Sequence, residues 1–248
     1  MRILRIGLTV VALAMLAPGL AEAQQKNWLV APYIWMSDVS WDIAARGSGT
    51  VEFSNIVDKL DGAGLIRVEY VNDKFGLTFD YVGMSLSDNR RFATPGPLPI
   101  DISIRANVDL TMFEAGAFYR PSATDSGFDF LAGLRATEVD SYLIVTPADT
   151  QPQRFDTSSS FTDIYAGVRY LHRFTEAWDA TIRGDYGVGG SDGSLNLLVS
   201  VGWRSRGTFG MSLAYRHLTF DVDERIEGEA ATNEFDFTGP ALGFMFRF

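Results

Sequence analysis

The 248-residue chain has no cysteine, only two histidines, and only three lysines, Lys26, Lys59 and Lys74. Without cysteine there is no disulfide framework, no thiolate metal site and no cysteine nucleophile. The histidines, His172 and His217, lie far apart in sequence. With no further ligand at short spacing they make no zinc motif. Positive charge is in deficit: 21 basic residues face 31 acidic ones, for a formal net charge of -10. That balance argues against nucleic acid or anionic headgroups as the main partner. Beyond the first 23 residues no apolar run approaches the roughly 20 residues of a membrane-spanning helix, and helical periodicity is nearly absent. What remains is a 46% hydrophobic chain with 24 glycines. That is enough apolar material to exclude wholesale disorder. The length allows one large domain or two small ones.

Residues 1–23 read as a secretory signal peptide. Arg2 and Arg5 form the positive start, and Ile6 to Leu16 is almost unbroken apolar sequence. Pro18 and Gly19 interrupt it, and Ala21-Glu22-Ala23 offers a small-x-small cleavage site. The mature chain is expected to start at Gln24 and to form a single domain over 24–248. An exported chain without a hydrophobic helix is periplasmic, secreted or an outer-membrane barrel.

Alternation with period two runs through the mature chain and predicts strands. Ten are expected (8–12 possible), near 28–40, 63–72, 75–87, 107–120, 127–144, 161–174, 178–188, 194–204, 208–221 and 235–248. The connections near Asp73, 121–126, 175–177 and 205–207 are short. Those near 41–62, 88–106, 145–160 and 222–234 are long, with 189–193 as an exception. Short turns alternating with long loops are the pattern of a closed antiparallel transmembrane barrel, short turns on the periplasmic side. Phe53, Ile56, Val57 and Leu60 lie at helical spacing after Ser54, predicting one short helix or turn near 54–60. Pro32 and Pro240 fall in the first and last strands, which must pair to close the ring. Proline has no ladder donor, so a bulged or weakened seam is expected there.

One face of the strands is long, apolar and aromatic. The other carries Arg67, Glu69, Asp80, Glu114, Arg135, Asp163, Arg169, Arg183, Asp185, Arg216 and Arg247, with Gly116, Gly133, Gly167, Gly202 and Gly243 among them. Charges beside glycines suit a narrow, crowded lumen. A solvated sheet face favours Lys, Thr and Ser instead. The charges have two readings: a paired structural network, since buried charges must be paired, or a solute path. Tyr70, Phe75, Tyr119, Phe128, Tyr170, Phe174, Trp178, Trp203, Phe209, Phe246 and Phe248 gather near the short turns, as a periplasmic aromatic girdle would. Tyr142, Phe161, Phe220 and Phe235 are the candidates for an outer girdle.

The last strand places Leu242, Phe244, Phe246 and Phe248 on one face and ends at Phe248. This resembles the assembly signal of bacterial outer-membrane barrels. Pro32-Tyr33-Ile34-Trp35, Val51 to Val57, Glu114-Ala115-Gly116, Leu131 to Arg135, Gly167-Val168-Arg169-Tyr170, Arg183-Gly184-Asp185, Tyr215 to Leu218 and Gly239 to Gly243 together resemble a family of small OmpA- and OmpW-like outer-membrane barrels. The resemblance spans nearly the whole mature chain. It implies an integral barrel in the outer membrane, with outer-membrane lipids, lipopolysaccharide and the barrel assembly machinery as partners. It transfers no substrate and no catalytic residue.

No cofactor, metal site, catalytic residue or nucleic-acid partner is expected. His172 and His217 fall on the apolar face, away from a serine and an orienting carboxylate. The acidic stretch 221–236 reads as a solvated outer loop, with divalent-cation bridging to lipopolysaccharide as the sharper alternative. Gly187 to Ser194 lacks Gly-Lys-Ser/Thr and reads as a hairpin loop, not a phosphate cradle. The expected function is a non-enzymatic outer-membrane barrel with a narrow charged lumen, structural or passing small solutes. The alternatives are a soluble periplasmic barrel for an apolar ligand and a lipid-modifying outer-membrane enzyme.

Overall fold

The computed structural model describes residues 27–43, 47–51, 60–93, 101–121, 126–147, 151–226 and 229–248. The signal peptide and the turn or helix expected before Leu60 lie outside them. Leu60 itself opens a strand. Twelve strands occur in chain order: β1 (Trp28–Trp35), β2 (Asp38–Ile43), β3 (Gly47–Val51), β4 (Leu60–Asn72), β5 (Phe75–Ala93), β6 (Asp101–Tyr119), β7 (Gly127–Pro147), β8 (Gln153–Arg173), β9 (Trp178–Val188), β10 (Gly193–Arg204), β11 (Phe209–Ile226) and β12 (Glu229–Arg247). All pair antiparallel with their neighbours, and a β1–β12 ladder closes the ring. Closure removes the unpaired edges that a bilayer could not satisfy.

Ten staves make the wall, because β1 and β2 form one stave and β3 pairs only with β2, outside the closing ladder. Leu29 opposes Arg247, Trp35 opposes Ala241, and beyond the gap Asp38 opposes Thr238 in the same register. The interruption at Met36 and Ser37 faces Pro240, whose carbonyl still accepts the Met36 amide at 2.8 Å. Assigned pairing also lapses opposite Pro32. The seam is therefore weakened at both prolines, but it is not bulged. A β-carbon on Gly239 would overlap the Met36 carbonyl, so only glycine lets the chain pass there.

The periplasmic turns are as short as expected. Asp73 takes a φ of 46° in the turn joining β4 to β5, a conformation that aspartate tolerates. The outer connections differ from expectation. Much of 88–106, 145–160 and 222–234 is strand, so β5 to β8, β11 and β12 run for 18 to 21 residues. A tilted strand needs only about 9–11 residues to cross the hydrocarbon. β9 and β10, at 11 and 12 residues, do little more than that.

Beyond the bilayer the ring opens into two facing sheets. The β8–β9 ladder ends at Ile164↔Val188, β10–β11 at Gly193↔Asp221, and β1–β4 at Tyr33↔Leu65. Past those points β4 to β8 continue as one sheet, and β11, β12, β2 and β3 as the other. Phe161 meets Phe220 at 5.4 Å between ring centroids, joining the two sheets above the short β9–β10 hairpin.

The exterior at bilayer level is apolar. Phe79, Leu134, Ile164, Ile182, Val199 and Leu213 all point outward and are exposed. An apolar belt this continuous is far larger than the patches of a soluble monomer. Below it lies the aromatic girdle: Trp28–Tyr70, Phe75–Tyr119 and Phe128–Tyr170 pair at 4.9, 5.1 and 4.8 Å. Phe209 joins Trp203 and Phe246 near the terminus.

Candidate functional site in the barrel lumen

The lumen is divided into layers of opposite chemistry. At its centre, adjacent strands aim Asp80 (β5), Glu114 (β6), Arg135 (β7), Arg183 and Asp185 (β9) and Arg216 (β11) at one another. Arg135 donates to Glu114 at 2.7 Å and also pairs with Asp185. Arg183 donates to Asp185 at 2.6 Å and to Glu114 at 3.1 Å. Arg216 pairs with Asp80 at 3.2 Å and reaches Glu114 at 3.5 Å. Neutral groups complete the layer. Tyr33 donates to Asp80 at 2.8 Å, Arg216 donates to Asn196 at 3.0 Å, and Asn196 donates to Asp185 at 2.8 Å. Tyr165 lies under two guanidiniums, 5.1 Å from Arg135 and 5.6 Å from Arg183. It fits because Gly116 and Gly133 have no side chain; a β-carbon on either would overlap its ring or hydroxyl.

A second ion-pair group lies nearer the periplasm. Glu69 receives Arg67 at 2.9 Å and Arg169 at 2.6 Å, while Asp129 receives Arg169 at 2.9 Å and Arg120 at 2.6 Å. Removing one partner of such a buried set strands a charge, at a cost of about 3–5 kcal/mol. Near-balance of the two signs is what makes these layers tenable in a narrow space.

Toward the outside the lumen turns apolar. Val82, Leu110, Met112, Val139, Leu218, Phe220 and Phe237 pack there with Trp35, Val39 and Phe235. The lumen is thus not charged throughout, as the sequence reading has it. The proposed outer girdle also changes place. Phe161, Phe220 and Phe235 are buried inside this cluster, and only Tyr142 stays clear of it, under Arg154 at 4.5 Å. The reason is parity. Phe161 shares its face with Asp163, and Phe220 shares its face with Arg216, so each points inward with its charged neighbour.

All eleven lumen charges expected from sequence share the inward face, but two stand outside the networks. Asp163 accepts the amides of Gly190 and Ser191 at 3.0 and 2.9 Å and fastens the β9–β10 turn. Among the described residues Arg247 has no carboxylate partner within 4 Å and reaches only Met245 Sδ, at 3.9 Å. Sequence reasoning missed Asp129, Arg120, Tyr33 and Asn196. Asp129 shares its face with Arg135, so alternation alone would have found it. Tyr33 and Asn196 carry no charge to attract notice.

The histidines face outward. His172 packs edge-on to Phe174 at 4.8 Å. His217 Nδ1 lies 2.6 Å from Thr238 Oγ1 and 3.5 Å from Asp236. A hydrolytic relay needs hydroxyl and carboxylate on opposite ring nitrogens; here both meet the same one. No cluster of three or more metal-ligating side chains occurs among the described residues.

No protein-family model matches the chain, and no curated protein matches its sequence. Solved structures do. The outer membrane protease OmpT of Escherichia coli aligns over 94% of this chain and 99% of its own, with a TM-score of 0.51 and 8% identity. The translocator domain of the autotransporter NalP of Neisseria meningitidis covers 98% and 96%, with a TM-score of 0.45 and 9% identity. The attachment invasion locus protein Ail of Yersinia pestis covers 90% and 100%, with a TM-score of 0.36 and 10% identity. At 8% identity the likeness to OmpT is one of fold alone: a closed, antiparallel, all-β barrel. The apolar belt and girdle place that barrel in the outer membrane.

Proposed function

We propose that this outer-membrane barrel is a closed, non-enzymatic member of the small OmpA- and OmpW-like kind, whose luminal charges are structural and carry no solute. The supporting observation is the central layer. The side chains of Arg135, Glu114 and Asp185 are at most 1% exposed. A water-filled porin lumen would leave such groups wet. The outward-facing histidines, held by aromatics or by Thr238, support a non-catalytic reading. Leu242, Phe244, Phe246 and Phe248 serve as the signal read by the assembly machinery, and lipopolysaccharide surrounds the outer part of the belt.

The test is conductance of the full refolded chain in a planar bilayer. Silence is expected. Replacing Glu114, Arg135 and Arg183 together by alanine should leave the bilayer silent as well, because the apolar layer around Leu110, Leu218, Phe220 and Phe237 still fills the lumen. Steady steps from the unaltered chain would overturn the reading.

A further inference from the structure

The periplasmic mouth of the lumen departs from the balance found above it. Four successive inward positions around β8 to β12 are Arg173, Asp179, Arg204 and Arg247. Arg173 opposes Asp179 across the β8–β9 ladder. Arg204 and Met245 both oppose Gly210, from either side of β11. Arg247 therefore lies one inward position below the level of Arg204. Among the described residues, the one carboxylate that pairs with Arg204 or Arg247 at this mouth is Asp179, in a chain whose net charge is -10.

Asp179 is already engaged by Arg204 through Nη2. The Nε of Arg204 is buried with no hydrogen-bond partner. Arg247, with only a thioether in hydrogen-bond reach among the described residues, is partly desolvated and faces the like charge of Arg204, which Asp179 partly offsets. Unlike the central layer, this ring is reached by water: the Arg204 side chain is 18% exposed. On the wall between Arg204 and Met245, Gly210 has no side chain, and the Met245 methyl packs over it. Two partly desolvated guanidiniums with unspent donors form a strong recognition element for an oxyanion, which they bind through paired N–H donors. Because these groups point inward, a lipid headgroup in the surrounding leaflet does not reach them.

We propose that the periplasmic mouth binds a small soluble oxyanion of the phosphate class between Arg204 and Arg247. The site is a dead end, closed above by the ion-pair layers, so binding there is independent of transport. The ligand also offsets the repulsion between Arg204 and Arg247, and so stabilises the barrel.

Calorimetric titration tests this on the full chain refolded in zwitterionic micelles, with inorganic phosphate against sodium chloride at equal ionic strength. Saturable heat with phosphate alone is expected. Arg247→Gln should weaken it at least tenfold, and the barrel should still fold, since among the described residues this arginine holds no ion pair. Arg154→Gln, on the outer hairpin, should leave it unchanged. Leu29→Glu provides a second route without removing an arginine. Leu29 is the cross-strand partner of Arg247, so the new carboxylate fills the site from within and should abolish binding. Folding of each variant is read from the heat-dependent shift in gel mobility. Phosphate heat no larger than that of chloride would overturn the proposal. So would undiminished binding in folded Arg247→Gln or in folded Leu29→Glu.

Discussion

At the level of Glu114 and Arg135 the wall presents Phe113 and Leu134 outward and its charges inward. Further along the same strands the arrangement is reversed: Leu110 and Val139 are buried inside, and Thr111, Glu138 and Asp140 face out. One pair of strands, in one unbroken register, is therefore a membrane protein over its first half and a water-soluble one over its second. The solvent outside dictates the exchange. Lipid demands an apolar exterior and leaves polar groups to pair among themselves inside. Water demands the opposite, so the projecting sheets bury an apolar core between them. The two interiors hold by different physics. The inner one depends on which charge meets which, and the outer one on volume.

That difference is most sharply tested at Glu114, which three arginines share. Glu114→Gln keeps the shape and removes the charge. We expect about 3–5 kcal/mol of lost stability, because the arginines keep their desolvation cost and lose their counter-charge. Urea unfolding in lipid vesicles measures it. A loss below about 1 kcal/mol would mean that the layer is held by packing, as the outer one is.

The apolar layer should respond in the opposite way to conservative change. Leu218 is fully buried beside Phe220 and Phe237. Leu218→Ala should cost about 2–5 kcal/mol through the cavity it leaves, whereas Leu218→Met, which keeps the volume, should cost less than about 1.5 kcal/mol. Equal penalties for the two variants would show that the outer layer depends on the exact side-chain shape and not on volume alone.

The outward faces offer a matching pair. Val199 lies midway along β10, exposed on the lipid side. Val199→Arg should cost about 2–4 kcal/mol in vesicles, as arginine does near the bilayer midplane. Glu138→Arg, on the outward face beyond the belt, should have almost no effect. Similar costs at both sites would place the bilayer boundary farther out than the change of polarity does.

The bilayer half was legible in the sequence because one parity rule governs it. Ile164, Val168 and Tyr170 alternate with Asp163, Arg169 and Arg173, and the charges mark the inner face. The outer half misleads a reader who carries that rule onward. On β8, Phe161 keeps the parity of Asp163 but looks like a lipid contact because it is aromatic. On β7, the apolar face changes from even to odd positions between Leu134 and Val139 with no bulge to announce it. Alternation reports only that two faces differ. Which face meets water depends on the height of the residue in the membrane, and the sequence does not carry that height. The mouth was hidden for another reason. Arg247 was legible as inward-facing, but its lack of a carboxylate depends on strands brought together by closure of the ring.

The weakest effect belongs to the end of the outer sheets, where charges meet in full solvent. Arg154 donates to Asp156 at 2.9 and 2.6 Å, geometry as good as any in the lumen, yet both side chains are more than half exposed. The hydrogen bond from Arg154 holds the Asp156 carboxyl below its ordinary range. A carboxylate depressed in this way stabilises the fold above its unfolded pKa and loses that contribution as pH falls through the folded value. Here solvent screening removes nearly all of it. Arg154→Ala should therefore move the Asp156 titration upward in carbon-detected NMR while leaving the urea midpoint unchanged at pH 7. The same pairing of arginine and carboxylate that is indispensable around Glu114 should be expendable here, because water already solvates both partners.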